Sequence, residues 1–253
     1  MKPVTVGREA PHLIRPYGDR KEDGVVQLSF VLPVAPSGRA KEAALQLVKQ
    51  HGFAEVSIAH MEKAGPDYTF FVVYAKTQLA VDYGAIDVPE VKLDKLGFDA
   101  LNEAIERDLG RKIGVVGACT GTDAHAVGID AIMNMKGYAG DYGLERYRMF
   151  DAFNMGSQVD NTQLVATALE RNADAILVSQ IVTQRDVHKD NARDLVEKLE
   201  QKGLRKRFLL VLGGPRIDHK LALELGFDAG FGPGSKASDV ANFLYGALKA
   251  RKA

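Results

Sequence analysis

The chain has a single cysteine, Cys119, among its 253 residues. That excludes an internal disulfide, a zinc site built from several cysteines, and an iron–sulfur cluster held by three or four thiolates of this chain. An excess of either charge is also lacking: 33 lysines plus arginines face 33 aspartates plus glutamates. A zero balance gives no electrostatic reason to expect nucleic acid or an anionic membrane as partner. No apolar run approaches the length of a membrane span, and the N-terminal residues lack a signal-peptide core, so a cytoplasmic protein is expected. Internal repeats and low-complexity tracts are absent too.

What is present is ordinary globular material, 46% hydrophobic and 26% charged, long enough for one large domain or two smaller ones. The first twenty residues, with Pro3, Pro11 and Pro16, read as an irregular arm. From Val25 to Leu32 the period is two, with Val26, Leu28, Phe30 and Leu32 on one side. Ser37 caps a helix expected to run to about Gln50, with Ala43, Ala44, Leu47 and Val48 on its apolar stripe and Gly52 as terminator. Glu55–Met61 and Asp67–Lys76 read as two strands around a Gly65-Pro66 turn. This βαββ unit is a small α+β domain, expected over residues 1–85, and holds no convincing catalytic cluster, which leaves packing or dimerisation as its job. Residues 86–110 form a connecting segment and a helix whose apolar face carries Phe98, Leu101, Ile105 and Leu109, ended by Gly110.

Over residues 111–253 strands and helices alternate. Strands are expected at Ile113–Ala118, Arg148–Asn154, Ala175–Val182, Arg207–Leu212 and Ala229–Phe231. Helices fill the gaps at about Val127–Lys136, Val159–Arg171, Asn191–Gln201, Ile217–Leu225 and Ser235–Lys249. Such alternation means βαβ crossovers and an α/β parallel sheet, here in a flavodoxin-like (Rossmann-like) order. In that order ligands sit beyond the carboxyl ends of the strands, at the switch point between the first and third.

Polar and glycine-rich groups follow four of those strand ends. After the first runs Thr120-Gly121-Thr122-Asp123-Ala124-His125-Ala126-Val127-Gly128. Ser179-Gln180-Ile181 follows the third, with Thr183 just beyond, and Gly213-Gly214 follows the fourth. Phe231 closes the last, before Gly232-Pro233-Gly234-Ser235. The Asp123 carboxylate can reach the His125 imidazole Nδ1–H, fixing the tautomer and leaving Nε2 as a lone-pair donor, the usual support for a metal-ligating histidine. The same loop reads equally as a hydrogen-bonded histidine with no ligand. Cys119 is expected to be a small core residue, while His188 and His219, in charged helical surroundings, are expected to be solvated.

Asp123-x-His125-x-x-Gly128, then Ser179-x-Ile181, then Gly213-Gly214, resembles the D-x-H-x-x-G, S-x-L and G-G signature of cobalamin-binding Rossmann-like domains, with Ile181 where leucine is usual. The resemblance implies that His125 replaces dimethylbenzimidazole as the lower axial ligand of cobalt. It also implies that the displaced nucleotide tail enters a slot beside the sheet lined by Ser179, Gly213 and Gly214, with Ile181 among the cofactor-binding residues. Thr122, Asp123, Ala126, Val127 and Gly128 are expected around the same cofactor, as are Thr183, Phe231, Gly232, Gly234 and Ser235.

The stretch from Gly128 through Lys136-Gly137-Tyr138-Ala139-Gly140 is similar to the small subunit of lysine 5,6-aminomutases and, more distantly, to the matching part of D-ornithine 4,5-aminomutase. The likeness continues through Tyr142–Tyr147 and Gly156–Val159 and includes the N-terminal domain. In that family the lysine eleven residues past the histidine, the position of Lys136, forms a Schiff base with pyridoxal 5'-phosphate. Read alone, Lys136 is a cation at a helix end, favoured by the helix dipole. The family implies adenosylcobalamin and pyridoxal phosphate as cofactors. It also implies a larger TIM-barrel alpha subunit that holds most of the pyridoxal-phosphate site, an alpha2beta2 assembly, and D-lysine or L-beta-lysine as substrate. The terminal amino group moves to the adjacent carbon by radical chemistry. Lys136 is then a catalytic gate, tethering the subunits until a substrate amine displaces it.

Two other readings compete. A corrinoid carrier or sensor without pyridoxal phosphate explains His125 and the glycines but leaves Lys136 and its flanks to chance. A nucleotide- or flavin-binding enzyme of the same fold is disfavoured because the first crossover lacks G-x-G-x-x-G. A radical aminomutase using an iron–sulfur cluster of its own is excluded by the single cysteine.

Overall fold

The computed structural model describes residues 12–252. The expected proline-rich arm therefore lies outside the described residues as far as residue 11. The chain divides into two compact units, Met1–Asp87 and Val88–Ala253.

In the first unit, Leu13–Ile14 (β1) is followed by Val25–Leu32 (β2), Gly38–Gln50 (α1), Ala54–Gly65 (β3), Tyr68–Lys76 (β4) and Val81–Asp82 (β5). The end of the arm is thus not irregular, because β1 pairs antiparallel with β5. The three longer strands form an antiparallel sheet of order β2-β4-β3. Alternation in β2 leaves Gln27, Ser29 and Val31 exposed while Leu28, Phe30 and Leu32 pack against a core of Phe71, Val73 and Ala75. Ser37 caps α1 by accepting the Ala40 N–H at 3.1 Å. The buried stripe of α1 is Ala40, Ala44 and Val48. Ala43 and Leu47, expected on it, are exposed: contact is made along one i, i+4 row, and small alanines bring that row close to the sheet.

The second unit opens with Phe98–Leu109 (α2), ended by Gly110 in the left-handed conformation. It continues through Ile113–Cys119 (β6), Val127–Met133 (α3), Phe150–Asn154 (β7), Asn161–Glu170 (α4) and Ala175–Ser179 (β8). Val187–Gln201 (α5), Leu209–Gly213 (β9), His219–Glu224 (α6), Ala229–Phe231 (β10) and Ala237–Lys252 (α7) complete it. The five strands are parallel in the order β10-β9-β8-β6-β7, the doubly wound arrangement expected. Each sheet face has its own core. Leu101, Ile105, Met133, Leu177, Val211 and Leu244 share one, and Val116, Leu164, Ile176, Leu195 and Leu210 the other.

Several expected elements end early for a visible reason. β8 stops at Ser179, not Val182, because the Ile181 and Val182 N–H groups are taken by the Asp123 carboxylate. α3 stops at Met133, not Lys136. Asn134 takes an extended backbone (ψ 142°), and Glu145 accepts the Met135 N–H that would otherwise continue the helix. The helix-end reading of Lys136 therefore fails; it lies in an exposed turn. His188 is buried rather than solvated, at 3% exposure, and His219 is half-buried with Nδ1 accepting the Gly230 N–H. No helix among the described residues is long and apolar enough to cross a membrane.

Candidate functional site

The carboxyl ends of β6, β8, β9 and β10 share one rim, and a cavity of about 530 Å³ opens there, within the range of small-molecule sites. Its walls come from the start of α3 (Val127, Gly128), the end of β8 (Ser179, Ile181), the β9 turn (Gly213, Gly214) and the segment after β10 (Phe231, Gly232, Gly234, Ser235). Ten of the expected site residues are therefore brought together on one surface. Thr122 is exposed, Ala126 and Thr183 are half-buried, and neither these three nor Lys136 line the cavity.

Asp123 and His125 do not line the cavity either; Asp123 organises the loop beside it, through its bond to the wall residue Ile181. Its side chain is 1% exposed. One oxygen accepts the His125 backbone N–H and faces the His125 ring Nδ1, both at 3.0 Å. The other accepts the N–H of Ile181 at 2.6 Å and of Val182 at 3.0 Å. Burial alone pushes this carboxyl up; the Val182, His125 and Ile181 amides and the His125 ring outweigh it and hold the carboxyl below its usual value. An ionised carboxylate only accepts, so Nδ1 of His125 carries the proton. In the neutral ring Nε2 is then the lone-pair nitrogen, on a side chain that is 60% exposed.

The loop below is held as firmly. Gln180 Nε2 donates to the Thr120 hydroxyl at 2.6 Å, and Asn191 Nδ2 donates to Gln180 Oε1 and the Thr120 carbonyl. Sequence reasoning missed this buried polar knot; its signal was two polar residues, Thr120 and Gln180, placed immediately past apolar strands. It also missed Tyr138, Val211 and Leu177 as wall residues, although period two puts Leu177 and Val211 on the faces of Ser179 and Gly213. Cys119 is in the core as expected. Burial pushes its thiol up to about 11, and its Sγ donates to the His125 carbonyl at 3.1 Å, so it acts as a thiol supporting the loop rather than as a ligand.

Two glycines are required by close approach. A Cβ on Gly128 would lie 2.6 Å from Ser179 Oγ, and one on Gly214 would lie 2.1 Å from the Gln180 carbonyl oxygen. Gly213 differs: a Cβ there would meet nothing nearer than 3.7 Å and would take up cavity space. Among the described residues no group of three or more His, Cys, Asp or Glu side chains is arranged to hold a metal ion. A metal on His125 would bring its remaining ligands with it, as a metal in a macrocycle does.

A family model described as the B12 binding domain matches residues 113–241, and one described as the dimerisation domain of D-ornithine 4,5-aminomutase matches residues 13–90. A lysine 5,6-aminomutase beta subunit of Fusobacterium nucleatum subsp. nucleatum is 54% identical over 91% of this chain and 88% of its own. One from Acetoanaerobium sticklandii is 52% identical over 94% and 91%. The D-ornithine 4,5-aminomutase subunit beta of the same organism is 31% identical over 92% of this chain, which spans 30% of that longer protein.

Proposed function

The chain belongs to the family of lysine 5,6-aminomutase beta subunits, and from that membership we propose that it is the adenosylcobalamin-binding subunit of a radical aminomutase that also uses pyridoxal phosphate. The observation that carries the reading is the Asp123–His125 pair, a buried carboxylate fixing the tautomer of an exposed imidazole on the loop that leads into the cavity wall at Val127 and Gly128. His125 Nε2 would hold cobalt. Ser179, Ile181, Gly213, Gly214 and the Gly232–Ser235 segment would hold the nucleotide tail, with Val127, Gly128 and Phe231 completing the walls. Thr122, Ala126 and Thr183 would act from the rim. When bound, adenosylcobalamin supplies a carbon-centred radical, and pyridoxal phosphate supplies an aldehyde.

This chain's own contribution is to orient and to gate. Asp123 keeps the proton on Nδ1, which raises the donor strength of Nε2. Lys136 is exposed and presents a primary amine outward. The reading gives it to an aldehyde held mainly by a larger, TIM-barrel alpha subunit, so that the two subunits are tied until a substrate amine competes for the same carbon. The proposed substrate is D-lysine or L-beta-lysine, with its terminal amino group moved to the adjacent carbon, and the proposed assembly is alpha2beta2. Residues 1–85 would serve dimerisation or packing, 86–110 the connection, and 111–253 the cofactor. The proposed location is the cytoplasm, which suits a lone buried thiol.

The test is His125→Ala. Corrinoid affinity should fall, and nitrogen hyperfine coupling in the reduced cobalt spectrum should vanish. Undiminished affinity with unchanged turnover would overturn the assignment. A complex that never shows pyridoxal absorbance bleached by borohydride would instead leave a corrinoid carrier.

A further inference from the structure

Lys136 stands on a short loop that is unusually well built. Tyr138 and Asp141 exchange backbone hydrogen bonds at 3.1 and 3.0 Å. Between them Ala139 and Gly140 both have positive φ, 52° and 79°, as in a tight type I′ turn. Gly137 lies so close beneath it that a Cβ there would fall 1.9 Å from the Asp141 carbonyl oxygen. The backbone after Lys136 therefore has one way to lie.

The Asp141 side chain fastens this turn to a distant part of the chain. Its carboxylate accepts the Ser238 N–H at 2.9 Å and the Ser238 hydroxyl at 2.6 Å, across 97 residues. Ser238 is in the first turn of α7, where free backbone N–H groups and the helix dipole favour an anion. α7 begins just after Gly234 and Ser235, which line the cavity, and Tyr138 lines the same cavity from the loop side. One carboxylate thus joins the loop of the amine to the wall of the cavity.

We infer that Asp141 is a positioning residue for Lys136: through Ser238 it holds the lysine loop in register with the cavity wall, so that amine and corrinoid are presented as one rigid piece. The inference rests on the proposed role of Lys136 as the pyridoxal anchor. Asp141 touches neither group; it acts through the turn, where a displacement of about 1 Å can cost on the order of a hundredfold in a positioned reaction.

The experiment uses the complete two-subunit complex with both cofactors and no substrate. It is reduced with borohydride, and pyridoxyl-labelled peptide is quantified for the native protein, Asp141→Ala, Ser238→Ala and Ser238→Thr. Native complex should carry the label on Lys136, and the yield should fall about tenfold in D141A and S238A. S238T, which keeps the hydroxyl, should retain it. Nitrogen hyperfine coupling from His125 to reduced cobalt should persist in all four. Native-like yield in both alanine variants overturns the inference, as does loss of label together with loss of the cobalt signal, which would mean general disruption. Absence of label on Lys136 in the native complex overturns the anchor reading itself, and is distinguishable because no variant is needed to see it.

Discussion

Asp123 Oδ2 accepts the Ile181 N–H at 2.6 Å, from 58 residues along the chain. The same carboxylate orients the His125 ring, so one side chain both ends the β8 strand path and fixes the imidazole. Asp123→Asn replaces one acceptor oxygen by an amide that can only donate, facing amides that also donate. Corrinoid affinity should drop about 10–100-fold, as for other lost supports of a metal-binding histidine. Stability should fall by about 1–3 kcal/mol from the unpaired amides. Equilibrium titration followed at the corrinoid bands, with urea melts of the unliganded chain, measures both. An asparagine variant with native affinity would mean that His125 needs no orientation from below.

Gly128 and Ser179 should be energetically coupled. Gly128→Ala forces a methyl to within 2.6 Å of Ser179 Oγ, an overpacking expected to cost about 1–3 kcal/mol. With Ser179→Ala as background, the nearest obstacle is gone and the cost should shrink. A double-mutant cycle in chemical denaturation reads the coupling directly; strict additivity would show that α3 yields elsewhere.

His188 makes stability depend on pH. Burial holds its imidazole below the usual value of 6.5, and its Nδ1 has no hydrogen-bond partner among the described residues. The unfolded chain takes up the proton more readily than the folded one. This contribution is therefore complete above the unfolded value and is lost as pH falls through it toward the folded value. Between about pH 8 and about pH 5.5 the native Tm should decline more than that of His188→Gln, whose side chain does not titrate. Equal declines in differential scanning calorimetry would place the ring in water.

Asp174 anchors the opposite end of the sheet. It receives a two-point contact from Arg111, at 2.7 and 2.8 Å, and the Gly114 N–H at 2.9 Å, while itself buried. Asp174→Ala should cost about 1.5–3 kcal/mol, the range for hydrogen bonds to a charged group. Arg111→Met should cost less, because the arginine is largely exposed and Asp174 keeps its backbone partner. Urea unfolding orders the two; the reverse order would mean that the arginine stem, not the carboxylate, carries the contact.

Much of this was legible in the chain. Val25–Leu32 and Ala229–Phe231 fall where their patterns put them, because alternation and short apolar runs are local signals. The crossover alternation fixed the sheet order, and with it which loops meet. The Asp123–His125 contact could be read from a spacing of two in a loop. Non-local competition could not. Nothing local says that Ile181 and Val182 give their amides to a carboxylate instead of a strand, or that Glu145 takes the Met135 N–H where α3 ends before Lys136. His188 was misread for the same reason: charged neighbours in sequence do not report the packing of the helix face beneath.

The sealed sulfhydryl of Cys119 gives the experimenter a silent background. Because Cys119 is the chain's only cysteine, a cysteine placed on the surface beside Lys136 becomes a uniquely addressable handle for a fluorophore or spin label. Paired with a second handle on the alpha subunit, it turns any movement of this chain against its partner into a distance that can be followed through turnover.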